Sequence, residues 1–195
     1  MSIARSLNCD GRHGAGLALA VLLLLLPVLG GQGLNLAWRY ERAAVAAGQW
    51  WRFVTCHLVH LDAAHALLNA VGLALLWALF ARAYSWWQWG LALGASIAAT
   101  GIGFWFFSTQ LVWYVGASGV LHGVFACGCI AMLRQRDRIG LIAAVIFAGK
   151  LLYEQWQGPL PFESVDMVVT VVHLYGAIGG AAMGLLLRGR GQQLY

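Results

Sequence analysis

The stretch GASGVLHGVFACGCIAML, residues 116–133, runs for eighteen positions without a charged side chain, and it holds a serine, a histidine and four glycines. Its length suits a membrane-crossing helix, for which about 20 apolar residues are needed. A hydroxyl and an imidazole inside such a run are costly in lipid and call for a partner or a function. Outward from it, apolar runs of similar length are broken by charge, and six spans are predicted at roughly 15–33, 61–80, 86–107, 116–133, 139–155 and 167–187. At 195 residues the chain has room for about seven spans at most, so residues 1–195 are read as one transmembrane domain of the all-α membrane class. Composition agrees: 61% of residues are hydrophobic, 10% are charged and the mean hydropathy is +0.74, where a soluble domain carries roughly a quarter charged residues. The 12 Lys and Arg form no basic tract in spite of the net charge of +5, so the expected partner is the lipid bilayer and no nucleic acid.

Charge sets the predicted topology. A cytoplasmic N-terminus places Arg5, Arg12, Arg82, Arg134, Arg136, Arg138, Arg188 and Arg190 inside and leaves Arg39, Arg42, Arg52 and Lys150 outside. Eight against four favours both termini inside, N-in and C-in. The first apolar run, Leu17 to Leu29 behind Arg5 and Arg12, imitates a signal peptide. No A-x-A site follows Gly30-Gly31, so it is read as the first transmembrane helix. Between Asn35 and Thr55, Trp38, Tyr40, Trp50, Trp51 and Phe53 alternate with Arg39, Glu41, Arg42 and Arg52, a mixture expected of an interfacial loop with short helices. Cys9, Cys56, Cys127 and Cys129 make no CxxC pair and no zinc-ligand spacing. They read as structural thiols, with Cys9 and Cys56 on opposite sides of the membrane.

Six polar residues stand out in or near the spans: His60, His65, Asn69, Ser118, His122 and His173. Spans two, four and six all begin on the outer side, which puts the last five within about 12 Å of that boundary. His65 and Asn69, four apart, share a helix face, whereas His60 points about 140° away from His65. His57 and His60 equally fit interfacial histidines. Ser118 lies in Gly116-Ala117-Ser118-Gly119 at the start of a span. Free backbone N–H groups of a helix N-terminus lie beside its hydroxyl there, so a nucleophile would find an oxyanion site ready. His173 can take the serine proton as general base. The glycine pairs Gly119/Gly123, Gly176/Gly180 and Gly180/Gly184 would let their helices approach closely, and Gly90/Gly94 reads as further packing. No acid stands near His173 in sequence except Asp166, seven residues upstream and close to the surface, so a Ser–His dyad is expected rather than a triad. His122, four residues after Ser118, is a local rival for the hydroxyl and is expected to support His173 by stacking on it.

Taken in order, His60-x4-His65-x3-Asn69, Gly116-x-Ser118-Gly119 and His173-x2-Gly176-x3-Gly180 resemble the rhomboid intramembrane serine proteases. The resemblance covers about residues 49–187 and includes Trp51-Arg52, similar to the Trp-Arg pair that opens the first rhomboid loop. It implies a six-transmembrane-helix rhomboid-like bundle with Ser118 as nucleophile and His173 as base. His65, Asn69 and the Ser118 N–H would form the oxyanion hole, with His122, Gly116, Gly119, Gly176 and Gly180 in support and neither metal nor cofactor. Many rhomboids carry a tyrosine where this chain has His122, and the string SGVLHG, residues 118–123, is similar to the rhombosortases, a compact bacterial branch. That branch implies cleavage of the C-terminal Gly-Gly-type membrane anchor of exported proteins. Its substrates would be transmembrane or C-terminally anchored proteins, met at the bacterial inner membrane near the periplasmic side. Three rivals are weaker. A haem- or metal-binding membrane protein has no use for Gly-x-Ser-Gly. A catalytically inactive rhomboid-like client-binding protein need keep neither Ser118 nor His173. A transporter would need paired hydrophobic repeats or intramembrane carboxylates for ion coupling, and neither is expected in these spans.

Overall fold

The computed structural model describes residues 14–159 and 169–188, so Arg5, Cys9, Arg12, Asp166 and Arg190 lie outside the described residues. Helix α1 (Gly14–Trp38) turns through a short 3-10 segment at Pro27, the residue that cannot donate to a helical ladder. Strand β1 (Tyr40–Glu41) and two short helices, α2 (Arg42–Ala46) and α3 (Arg52–Thr55), lead into α4 (Ala63–Phe80). Then come α5 (Trp86–Phe107), strand β2 (Trp113–Tyr114), α6 (Ser118–Arg134), α7 (Arg138–Gln157) and α8 (Thr170–Leu186). The helix starts are local chemistry. Asp62 accepts the His65 N–H at 2.8 Å to open α4, and Asp137 accepts from Ile139 and Gly140 at 2.7 and 3.2 Å to open α7. Ser85 and Gln88 make a capping box for α5.

Among the described residues α1, α4, α5 and α7 are long and apolar enough to cross a membrane, and α6 and α8 are apolar helices of 17 residues, each about 26 Å long. Leu67, Leu68 and Leu75 of α4 and Ile142, Val145, Ile146, Leu152 and Trp156 of α7 are all exposed. In lipid such faces need no partner, because tails are as apolar as leucine. The chain is an integral membrane protein.

The centre is the contact of α6 with α8. A Cβ on Gly176 would fall on the Gly119 carbonyl and one on Gly180 on the Gly123 carbonyl, so the two backbones touch. Gly184 continues the seam, where a Cβ would stand 3.1 Å from Cys127 Cα. At the far end Arg134 donates to the carbonyls of Gly184 at 2.9 Å, Leu185 at 2.6 Å and Leu187, closing the last turn of α8. Gly90 and Gly94 depart from the expectation. A Cβ on either meets open space among the described residues, where that spacing marks no helix contact. Cys56, Cys127 and Cys129 are buried free thiols.

The loop after α1 is anchored to the α5–α6 connection through β1 and β2, antiparallel with Tyr40 opposite Tyr114 and Glu41 opposite Trp113. Tyr40, Phe104, Tyr114 and Val172 pack together beneath it. Trp50 and Trp51 face outward at 62% and 54% exposure, as an interfacial segment should. Two of its arginines do not. Arg52 is buried and donates to the Leu36 and Arg39 carbonyls at 2.9 and 2.7 Å and to Gln49 at 2.6 Å. Arg42 donates to the Phe104 and Trp105 carbonyls, both at 2.9 Å, and lies over the Trp105 ring. Irregular backbone leaves buried carbonyls without ladder donors, and the two guanidinium groups supply them.

His57 and His60 are buried as well, at 4% and 6% exposure, rather than interfacial. His57 Nδ1 lies 3.2 Å from the Gly116 carbonyl and Nε2 lies 3.3 Å from the Thr100 hydroxyl. Burial pushes the His57 imidazole down to about 4, against a weaker opposing pull from the Gly116 carbonyl; burial likewise takes His60 down to about 4. An unfolded chain protonates its histidines near 6.5, so between about 6.5 and 4 the unfolded state binds the additional protons and folding weakens as pH falls. Detergent-solubilised protein should therefore lose thermal stability across that window, and His57→Gln should flatten part of the slope. Melting curves over the same pH series check this, and an unchanged slope in the variant would assign the loss to other groups.

Candidate active site

Ser118 is placed by the turn before it. The Gly116 N–H donates to the Cys56 carbonyl at 2.9 Å, and the Gly116 carbonyl accepts from the Tyr114 hydroxyl at 2.8 Å and from the His57 ring. Gly116 has φ of +118°, and a Cβ there would stand 2.8 Å from His65 Cε1. Both the backbone angle and the close ring demand glycine. The chain then enters α6 with Ser118 as its first residue, half-buried. Its Oγ lies 3.1 Å from Nε2 of His173 on α8 and 3.5 Å from the Tyr114 hydroxyl. His173 is 3% exposed and stands three residues before Gly176, where the two helix backbones meet.

His122 stacks on His173 with ring centroids 3.9 Å apart and planes within 7°. Its Nδ1 is 2.7 Å from the Ser118 carbonyl oxygen, so the ring engages the backbone of its own helix and not the hydroxyl. His65 lies with its ring edge against Gly116, and the His60 ring meets it edge-on at 5.1 Å. Both ring nitrogens of His60 and Nδ1 of His65 have no hydrogen-bond partner among the described residues. Asn69, 5% exposed, donates from its amide to the His65 carbonyl at 3.0 Å, one turn back on α4. That bond uses one of its two N–H groups.

An acid reaches His173 from another helix, a neighbour that the sequence around His173 does not supply. Glu154 on α7 is 1% exposed, with both carboxylate oxygens 3.0 to 3.1 Å from His173 Nδ1. Lys150, one turn earlier, pairs with Glu154 and also lies 3.0 Å from His122 Nε2. The membrane-buried carboxylate that sequence reasoning left uncounted is therefore present. Glu154 stands nineteen residues before His173 on another helix, so a search along the chain around His173 does not meet it. A signal was available: Lys150-x3-Glu154 is an opposite-charge pair on one face of a largely apolar helix.

His122, Glu154 and His173 are also a group of metal-ligating type, with ligand atoms within 4.8 Å of one another. The arrangement does not fit an ion. Each ligand atom already has a protein partner, with the Lys150 ammonium between His122 and Glu154. Imidazoles stacked within 7° also aim their in-plane nitrogens side by side instead of at one point.

A family model described as the rhomboid domain matches residues 47–190. A protein of Bacillus subtilis (strain 168) named "Putative rhomboid protease YdcA" is 26% identical over 148 residues, a match taking in 73% of this chain and 69% of that protein. No solved structure matches the chain.

The seam that joins Ser118 to His173 can be tested by bulk. Gly180→Val forces a side chain into the Gly123 carbonyl, and overpacking of this kind costs about 1–3 kcal/mol or more. Gly94→Ala enters open space and serves as the control. The first variant should melt several degrees below wild type and the second should not. Equal melting temperatures would remove the seam from the forces holding the bundle.

Proposed function

The chain belongs to the rhomboid family, and from that premise we propose that it is an intramembrane serine endopeptidase with Ser118 as nucleophile and His173 as general base. The observation that carries this reading is the 3.1 Å approach of Ser118 Oγ to His173 Nε2, within the reach a base needs. Oγ bonds to the scissile carbonyl carbon as its proton passes to Nε2. The carbonyl oxygen takes up negative charge beside the Ser118 N–H at the start of α6, with His65 and the second N–H of Asn69 as further donors. His173 then gives its proton to the leaving amine. Water, deprotonated by the same ring, hydrolyses the acyl ester and restores Ser118. His122, stacked on His173, holds the plane of the base.

In this reading α1, α4, α5 and α7 and the shorter α6 and α8 all cross the bilayer, with N- and C-termini inside and the serine within about 12 Å of the outer face. The membrane is the bacterial inner membrane and the active site faces its periplasmic side. The substrate class follows from the bilayer and from the resemblance of residues 118–123 to the rhombosortases. A helix in lipid has every backbone group satisfied and is a poor substrate, so the scissile bond must lie where the chain leaves the helix. Glycine does that most readily. A C-terminal anchor built of a Gly-Gly pair, an apolar helix and a basic tail would be oriented N-out and C-in by its positive charge, presenting the glycines on the outer side.

Co-expression with a reporter carrying such an anchor tests the proposal. Release should depend on Ser118, and Ser118→Ala, His173→Ala and the double variant should fall to one residual rate, as groups acting together do. Replacing both substrate glycines by leucine should abolish release. Ser118-independent release would overturn the protease; Ser118-dependent release that survives the leucines would overturn only the Gly-Gly specificity.

A further inference from the structure

We propose that Glu154 is a positioning residue for His173, extending the Ser118–His173 pair to a Ser–His–Glu array, and that Lys150 balances the Glu154 charge and ties it to His122; this rests on the protease reading above. The proton inventory supports it. An ammonium only donates, so His122 Nε2, 3.0 Å from Lys150 Nζ, must accept. The remaining proton of a neutral His122 then sits on Nδ1 and donates to the Ser118 carbonyl at 2.7 Å. An ionised carboxylate only accepts, so His173 Nδ1 carries a proton and donates to Glu154 at 3.0 to 3.1 Å. That leaves the Nε2 lone pair of His173 facing the Ser118 hydroxyl at 3.1 Å. Each assignment fixes the next, and the end result is the tautomer that a general base requires. When Nε2 takes the serine proton, the resulting imidazolium already has a carboxylate on its other side. Glu154 stabilises that charge and keeps no proton itself.

The setting of Glu154 argues the same way. Of the twenty residues of α7 only Gly140 and Glu154 are buried. Packing alone would be served by an apolar side chain, since a carboxylate in the membrane interior is costly without a task. A Lys–Glu pair that merely neutralised itself would have no need to place both carboxylate oxygens on the Nδ1 of His173.

The experiment uses the purified full chain and a reporter substrate, with Glu154→Gln made in the wild-type and in the His173→Ala background. In wild type the substitution should lower kcat about 10²-fold or more and leave KM close to its starting value, while the Lys150 ammonium left without its carboxylate lowers the melting temperature in both backgrounds alike. In the His173→Ala background it should cause no further loss of rate, since Glu154 acts only through that ring. A purely structural Glu154 would instead slow both backgrounds alike, which overturns the proposal. So does wild-type kcat in Glu154→Gln while Ser118→Ala is inactive, and this outcome leaves the protease reading standing. Activity that survives Ser118→Ala sinks the protease reading itself, and the proposal with it. Lys150→Met should be both unstable and slow, because it strands a buried charge. Combined with Glu154→Gln it should regain the melting temperature but not the rate. Recovery of the rate would contradict the positioning role. Activity that is lost to a chelator and restored by zinc would also overturn it, by making His122, Glu154 and His173 a metal site.

Discussion

The backbone contact between α6 and α8 is the constraint on which the remainder depends. Lipid supplies no hydrophobic drive between helices, so association rests on close packing and on hydrogen bonds between them. Gly119 and Gly123 meet Gly176 and Gly180 with no room for a methyl group. Ser118 immediately precedes one side of this seam and His173 stands three residues before the other. Their 3.1 Å separation is thus set by the packing and needs no adjustable side-chain reach. Moving the helices apart by the width of one methyl would break it. Arg134 fastens the opposite ends of the same two helices, so the pair is held at both extremities.

The loop and the strands serve this contact from the side. Tyr40 packs on Phe104 and Tyr114, β1 holds β2, and β2 delivers the Gly116 turn that starts α6. Arg42, Arg52 and His57 satisfy carbonyls that the irregular backbone leaves open. A buried polar network of this kind rigidifies only when its members are satisfied. The His65 ring edge lies against Gly116, close to the entry of α6, and its Nδ1 and both ring nitrogens of the adjacent His60 have no partner among the described residues. That corner is where the proposed oxyanion donors belong.

Much of this was legible in the sequence. The helical segments follow from charge breaks in an apolar chain, and Ser118 and His173 follow from polar type at a shared depth, because lipid makes such residues rare. The stacking of His122 on His173 is what the rhomboid resemblance implies, since many members carry a tyrosine at the position of His122. Other features depend on what faces a residue, which a single sequence does not state. Gly90/Gly94 has the same spacing as Gly176/Gly180 and meets nothing among the described residues, since small residues make a flat face without saying what lies against it. Arg42 and Arg52 have the composition of headgroup-facing residues yet turn inward, because carbonyls at the end of α5 and at the junction of α1 with the loop compete with lipid phosphates for them. Glu154 was hidden for a third reason. Its partner is on another helix, and its neighbour Lys150 made the pair look like boundary charge.

The reactivity of the Ser118 hydroxyl is the property on which the proteolytic chemistry rests. Treating the purified protein with a fluorophosphonate and mapping the adduct by mass spectrometry measures it directly. A single adduct on Ser118, absent from His173→Ala protein of unchanged melting temperature, is the predicted result. An adduct on a different serine, or reporter cleavage proceeding at full rate in protein that takes up no label, would contradict it.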